Sequence, residues 1–93
     1  MGLWKGIVRA EGFEMVVTVH FSLPTYNKMG EWHGNGISEK SWENWSEHNL
    51  VETNIGAIKI LKQIPEQSGL FSIEFKGLGG PRGPLAAAIK MSK

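Results

Sequence analysis

The segment FEMVVTVHFSL, residues 13–23, alternates large apolar side chains with mixed ones along its whole length. Successive side chains of a β-strand point to opposite faces of the sheet, so this period of two is typical of a strand with one buried face. The valines and phenylalanines favour the same structure. The pattern predicts a half-buried strand, which Pro24 ends because proline cannot donate a hydrogen bond to a neighbouring strand. The predicted inward residues are Phe13, Met15, Val17, Val19, Phe21 and Leu23.

A strand is also predicted just before this segment, in LWKGIVRA, residues 3–10. Trp4 alternates toward the inward side of that strand, and we expect it in the core. The link Ala10–Gly12 is short enough for a tight hairpin, because Gly12 adopts a positive φ without steric cost.

The segment EWHGNGIS, residues 31–38, is a candidate third strand with Trp32, Gly34 and Gly36 on one side. Glycines weaken a strand, or mark a bulge or a close approach of backbone. The alternative is a turn, since an Asn-Gly pair such as Asn35–Gly36 fits the type I′ hairpin.

Two further strands are predicted in the second half of the chain. TNIGAIKILKQI, residues 53–64, reads as one strand with apolar side chains on both faces, in which Lys62 interrupts the parity of the isoleucines. LFSIEFKG, residues 70–77, alternates cleanly, with Phe71, Ile73 and Phe75 inward. The glycine-containing loop between them, PEQSG, has the length of a hairpin connection.

Two segments leave their secondary structure open. Residues 39–49 favour a short helix, because a helix places Trp42 and Trp45 on one face whereas a strand separates them. The tail, residues 84–93, is either a helix begun by Pro84 or an edge strand.

Short strands joined by turns at near-regular spacing predict a mainly all-β fold. We expect a small antiparallel β-barrel or sandwich of about six strands with one short helical segment, forming a single domain over residues 1–93. Strand order, and hence the choice between barrel and sandwich, stays open. The chain has no cysteine, so its stability must come from packing or from a partner.

The charge pattern bears on partners and location. The net charge is +1, with an excess of acidic residues over 38–52 and of basic residues over 53–93, and these two regions are able to meet within one molecule or across two copies. A dedicated nucleic-acid binder normally has a clearly basic domain, so nucleic acid is not the expected partner. No apolar run reaches membrane-spanning length and no signal peptide is recognised, which predicts a cytoplasmic protein.

Catalytic and metal-binding patterns do not emerge from the sequence. The three histidines have no metal-ligand spacing, and we expect no metal and no cofactor. With no cysteine and no GxSxG motif, and with glutamate as the sole acid, we predict a non-catalytic protein.

The most distinctive feature is the concentration of three of the four tryptophans in the polar stretch 30–50. Tryptophan combines a large apolar surface with one N–H donor, which suits a partly wet contact. Three interpretations remain: these rings cover an open end of the barrel, form a subunit interface, or line a ligand platform. The candidate binding residues are Tyr26, Trp32, His33, Trp42 and Trp45.

The first functional hypothesis is a β-module that binds a second copy of itself, as a homodimer or higher oligomer, or another protein through the tryptophan-rich surface. Small domains often bury such surface by oligomerisation. The alternative is a small-molecule-binding barrel whose mouth is lined by Tyr26, Trp32, His33 and Trp45. Single-stranded nucleic-acid binding and enzymatic activity are weaker alternatives.

Overall fold

The computed structural model describes residues 2–10, 12–22, 30–42 and 50–91. Its described part contains one six-stranded antiparallel sheet with the strand order β1-β2-β3-β6-β5-β4, curled into a half-barrel, and one α-helix. The all-β prediction is therefore confirmed. The elements are β1 (Gly2–Ala10), β2 (Phe13–Phe21), β3 (Trp32–Ser38), β4 (Leu50–Thr53), β5 (Gly56–Pro65), a 3-10 turn (Gln67–Gly69), β6 (Phe71–Leu78) and α1 (Gly83–Met91).

The predicted hairpin of β1 and β2 is present, with Gly12 at φ 70°. The glycine-containing segment forms β3 and not the alternative turn, and Trp32, Gly34 and Gly36 share its buried side. These glycines sit where the sheet is crowded. A methyl group on Gly34 would contact the backbone of β2 and the ring of Phe75, so the missing side chains make room for the bulky neighbours.

The segment expected as one strand over residues 53–64 contains a hairpin that the sequence pattern did not reveal. Thr53 ends β4, and its hydroxyl donates to the carbonyl of Gly56 at 2.6 Å and accepts from the amide of Ile55 at 3.1 Å. Gly56 has a φ of 119°, which other residues rarely adopt. This side-chain-supported turn starts β5 at Gly56.

A β-bulge in β5 explains why its isoleucines do not keep one parity. The register with β6 shifts between Ile60 and Lys62, which leaves Leu61 as the extra residue. Ile58 and Ile60 are fully buried, whereas Ile64, beyond the bulge, lies on the outer face and is 41% exposed.

The tail is a helix, which settles the alternative left open by the sequence. Leu85 and Ile89 of α1 are buried in the core, one helical turn apart, and the amide of Arg82 donates to the carbonyl of Ile55 at 2.9 Å just before the helix. The helix expected over residues 39–49 is not present in residues 39–42, and residues 43–49 lie outside the described residues.

Asn54, at the tip of the β4–β5 hairpin, joins this end of the sheet to β1. Its backbone N–H donates to the carbonyl of Arg9 at 3.1 Å. Its side-chain oxygen accepts from the amide of Arg9 at 2.7 Å, and its side-chain nitrogen donates to the carbonyl of Ile7 at 3.1 Å. Asn54 thus satisfies backbone groups of the edge strand β1 in the way that a neighbouring strand would. It also connects the two edge strands of the sheet, β1 and β4, through these hydrogen bonds.

Replacing Asn54 by alanine should lower the free energy of unfolding by about 1–2 kcal/mol, because two hydrogen bonds to the edge of β1 are lost. Urea denaturation followed by circular dichroism measures the change. Asn35→Ala is the matched control, since Asn35 is exposed on the outer face of β3. Equal stability of the Asn54 variant and the wild type would show that Asn54 does not hold the sheet closed.

Candidate functional site

The concave face of the curled sheet is filled by the core. Side chains from all six strands and from α1 are buried there. Close packing of this kind leaves little room for a ligand without rearrangement. The surfaces open to a partner are therefore the convex face and the two ends. The core residues are Val8, Phe13, Met15, Val17, Val19, Phe21, Trp32, Val51, Ile55, Ile58, Ile60, Ile73, Phe75, Leu85 and Ile89.

An apolar row crosses the convex face at right angles to the strands. Ile7 of β1 lies opposite Val16 of β2, and Val16 lies opposite Ile37 of β3. Ser72 of β6 continues the row to Ile64 of β5. The four apolar side chains are 40% (Ile7), 63% (Val16), 46% (Ile37) and 41% (Ile64) exposed. The solvent face of an antiparallel sheet is normally polar, so this apolar row is unusual for a free surface.

A basic row lies four residues along the strands from the apolar row. His20 of β2 lies opposite His33 of β3, which lies opposite Lys76 of β6, and Lys76 lies opposite Lys59 of β5. The two imidazole rings are stacked, with centroids 5.5 Å apart and an interplanar angle of 19°. Two imidazoles and two ammonium groups thus lie side by side on four adjacent strands.

The apolar row separates surfaces of different charge. On the side of the basic row, the next convex-face positions hold Lys5 and Lys62, with Glu74 opposite Lys62. On the other side, the exposed acids are Glu14, which pairs with Arg9 at 3.0 Å, and Glu39 and Glu66, which follow β3 and β5. The face therefore carries mostly lysines on one side of the apolar row, whereas on the other side three glutamates lie together with Arg9 and Lys40.

A groove of about 710 Å³ opens at the end of β3 and β6. Trp32 and Gly77 form part of its wall, and the basic row reaches it through His33 and Lys76. The Trp32 indole is 3% exposed and donates its N–H to the carbonyl of Gly79 at 3.1 Å. It occupies the space in which a side chain at Gly77 would stand, so this glycine is what lets the ring lie flat against β6.

A second groove, of about 530 Å³, opens at the opposite end of the sheet, where β2 begins and β3 ends. Val16 and Ile37 of the apolar row line it together with Glu14, Glu39 and Lys40. Arg9 also lines this groove, so its two acidic side chains are matched by two basic ones, and the apolar row borders a concavity of mixed charge.

The structure separates the predicted site residues. Trp32 and His33 follow each other on β3 and point to opposite faces, yet both line the 710 Å³ groove. Trp42 lies at the other end of the sheet, half-buried, with its ring edge-on to Phe13 at a centroid distance of 5.7 Å. Tyr26 and Trp45 lie outside the described residues. Trp32 and Trp42 thus pack against the core at opposite ends.

The apolar and basic rows were not predicted from the sequence. The alternation of β2 directs Val16 and His20 outward, but their neighbours depend on the register and the order of the strands. A row across five strands contains residues far apart in sequence, and no local pattern reveals it. The β1–β2 hairpin, which the sequence predicts, brings together only Ile7 and Val16 of the apolar row.

Neither a metal cluster nor a membrane-spanning helix is found in the described part of the chain. No three histidine or carboxylate side chains there are close enough to hold a metal ion. No helix among the described residues is long and apolar enough to cross a membrane. Comparison with known protein families, with curated proteins and with solved structures finds no match for the chain.

Gly77→Ala should destabilise the protein by about 1–3 kcal/mol, because the added methyl group overlaps the buried indole of Trp32 and forces it to move. Gly80→Ala is the control, since a methyl group there has no atom within 4 Å. Thermal unfolding monitored by tryptophan fluorescence compares the two. If both variants melt together with the wild type, the contact between Trp32 and β6 does not exist in solution.

Proposed function

We propose that the protein is a self-associating β-module and that two copies dock through the apolar row. The observation that carries the proposal is the alignment of Ile7, Val16, Ile37 and Ile64 across the convex face, each at least 40% exposed. Contiguous apolar surface rimmed by polar residues is typical of protein interaction sites. Val16 and Ile37 are the centre of this surface, because they are paired on adjacent strands and border the 530 Å³ groove.

The charge on either side of the row supports a second copy as the occupant. A two-fold axis that runs along the apolar row reverses the strand direction of the second copy. Lys62 of one copy then lies toward Glu66 of the other, Lys5 lies toward the Arg9–Glu14 ion pair, and the arrangement repeats on the opposite side of the axis. The contact of Lys62 with Glu66 therefore occurs twice, as the symmetry of an isologous dimer requires.

The proposal moves the contact surface away from the tryptophans. Trp32 and Trp42 pack against the core at the two ends of the sheet, so their rings have less surface to offer a partner than Val16, which is 63% exposed. The exposed isoleucines and valine supply the apolar contact instead. Arg9 and Glu14 already form an ion pair at the border of this contact.

The double variant Val16→Thr/Ile37→Thr should raise the dissociation constant of the dimer at least about tenfold, because it removes apolar surface at the centre of the contact. Threonine keeps the β-branched shape that suits a strand, so the fold is retained. Analytical ultracentrifugation over a wide range of protein concentration measures the dissociation constant.

Leu50→Thr is the matched control, because Leu50 is 59% exposed but lies on β4, outside the apolar row. It should leave the dissociation constant unchanged. A wild-type protein that stays monomeric at every concentration rejects self-association. A dimer that the double variant and the control weaken equally rejects the apolar row as its interface.

Small-molecule binding at the end of the barrel is a second candidate function. The groove beside Trp32 is within the size range of ligand sites, which is roughly 300–1,000 Å³. It combines an indole wall with the polar side chains of Glu31, His33 and Lys76. These residues lie at a distance from the apolar row, so this function does not depend on self-association.

A further inference from the structure

We propose that the basic row, with the groove that it borders, binds a ligand carrying several phosphate groups. The site consists of His20, His33, Lys76 and Lys59 on four adjacent strands, and of the backbone of Gly77 to Gly79 at the groove. The inference rests on the second candidate function, for which it names the ligand class. It is independent of the dimer.

Lys76 and Lys59 lie directly opposite each other on β6 and β5, which favours a bound anion between them. Like charges directly opposite each other on neighbouring strands destabilise a sheet. Neither lysine has an ion pair with any other residue that the structure describes. An anion bound between the two ammonium groups offsets their repulsion. The free energy lost to that repulsion in the free protein therefore favours anion binding.

His33 and His20 continue the row beyond Lys76, onto β3 and β2. Each imidazole offers at least one N–H donor in either protonation state, and the stacked pair holds its two rings side by side. Neighbouring strands are about 4.8 Å apart, so the four side chains span about 14 Å. One phosphate group contacts only part of that length, whereas a chain of phosphates contacts donors along all of it.

The acidic groups nearby limit where the anion lies. Glu31 lines the groove beside His33, and Glu74 lies one row away, opposite Lys62. Both carboxylates repel phosphate, so the ligand is confined to the row itself and to the glycine side of the groove. Removing the charge of Glu31 should therefore strengthen binding, which a purely structural role of this residue does not predict.

The test is an NMR titration of the whole protein with sodium tripolyphosphate at about 50 mM salt, where electrostatic contacts with phosphate are strong. The amide signals of His33, Lys76 and Gly77 should shift with ligand concentration. Lys59→Ala/Lys76→Ala should weaken binding roughly tenfold, since each exposed charge pair contributes modestly. Glu31→Gln should strengthen it, and Lys90→Ala, which removes a lysine from α1, should leave it unchanged.

Amide signals that stay in place through the millimolar range overturn the proposal. So does a double lysine variant that binds as well as the wild type, once its circular dichroism spectrum shows that it is folded. A parallel titration with a short oligothymidylate identifies the source of the phosphates. Tighter binding of the oligonucleotide than of tripolyphosphate indicates a single-stranded nucleic acid, and weaker binding indicates a free polyphosphate; both support the site.

The Val16→Thr/Ile37→Thr variant separates the two proposals. It should bind tripolyphosphate as the wild type does, because its substitutions lie in the apolar row. A protein that dimerises but ignores tripolyphosphate contradicts the phosphate site alone. A protein that binds tripolyphosphate as a monomer contradicts self-association alone.

Discussion

The architecture depends on how a single sheet covers its own buried face. Asn54 draws the β4–β5 hairpin to β1 through three hydrogen bonds, and α1 places Leu85 and Ile89 in the core that the sheet surrounds. The curled sheet also needs positions without side chains where bulky rings lie on it, as Trp32 lies on Gly77. Without disulfides, this closure by packing and edge contacts allows a short chain to bury a continuous core.

A core that fills the concave side leaves the convex face and the ends of the sheet to carry function. Outward side chains of antiparallel strands line up in rows across the strands, so neighbouring rows can differ completely in chemistry. Here one row is apolar and another is basic, about four residues apart along β2. The two proposed activities, self-association and phosphate binding, therefore use separate rows of the same surface.

The sequence predicts those features that local patterns encode. The alternation in β2 and β6 predicted both strands and the inward residues of β2 from Phe13 to Phe21, because that face is buried throughout. In β6, Ile73 and Phe75 are buried as expected and Phe71 is half-buried, while Leu23 lies outside the described residues. The hairpin at Asn54 and the bulge at Leu61 were missed, since the first depends on side-chain hydrogen bonds of Thr53 and the second on pairing with β6. The convex rows arise from strand order, which no local pattern contains. Of the candidate site residues, Trp32 and His33 line one groove, and Trp42 packs at the opposite end.

The most direct test of this account is the exposure of methyl groups to a soluble paramagnetic agent, measured by NMR at low and high protein concentration. We expect strong relaxation of the Val16 and Ile37 methyl groups in dilute solution, and their protection as the concentration rises. The methyl groups of Ile58, Ile60 and Ile73 should stay protected throughout, because they are fully buried. Relaxation of these three core residues would contradict the packed half-barrel, and Val16 and Ile37 signals that do not change with concentration would contradict association through its outer face.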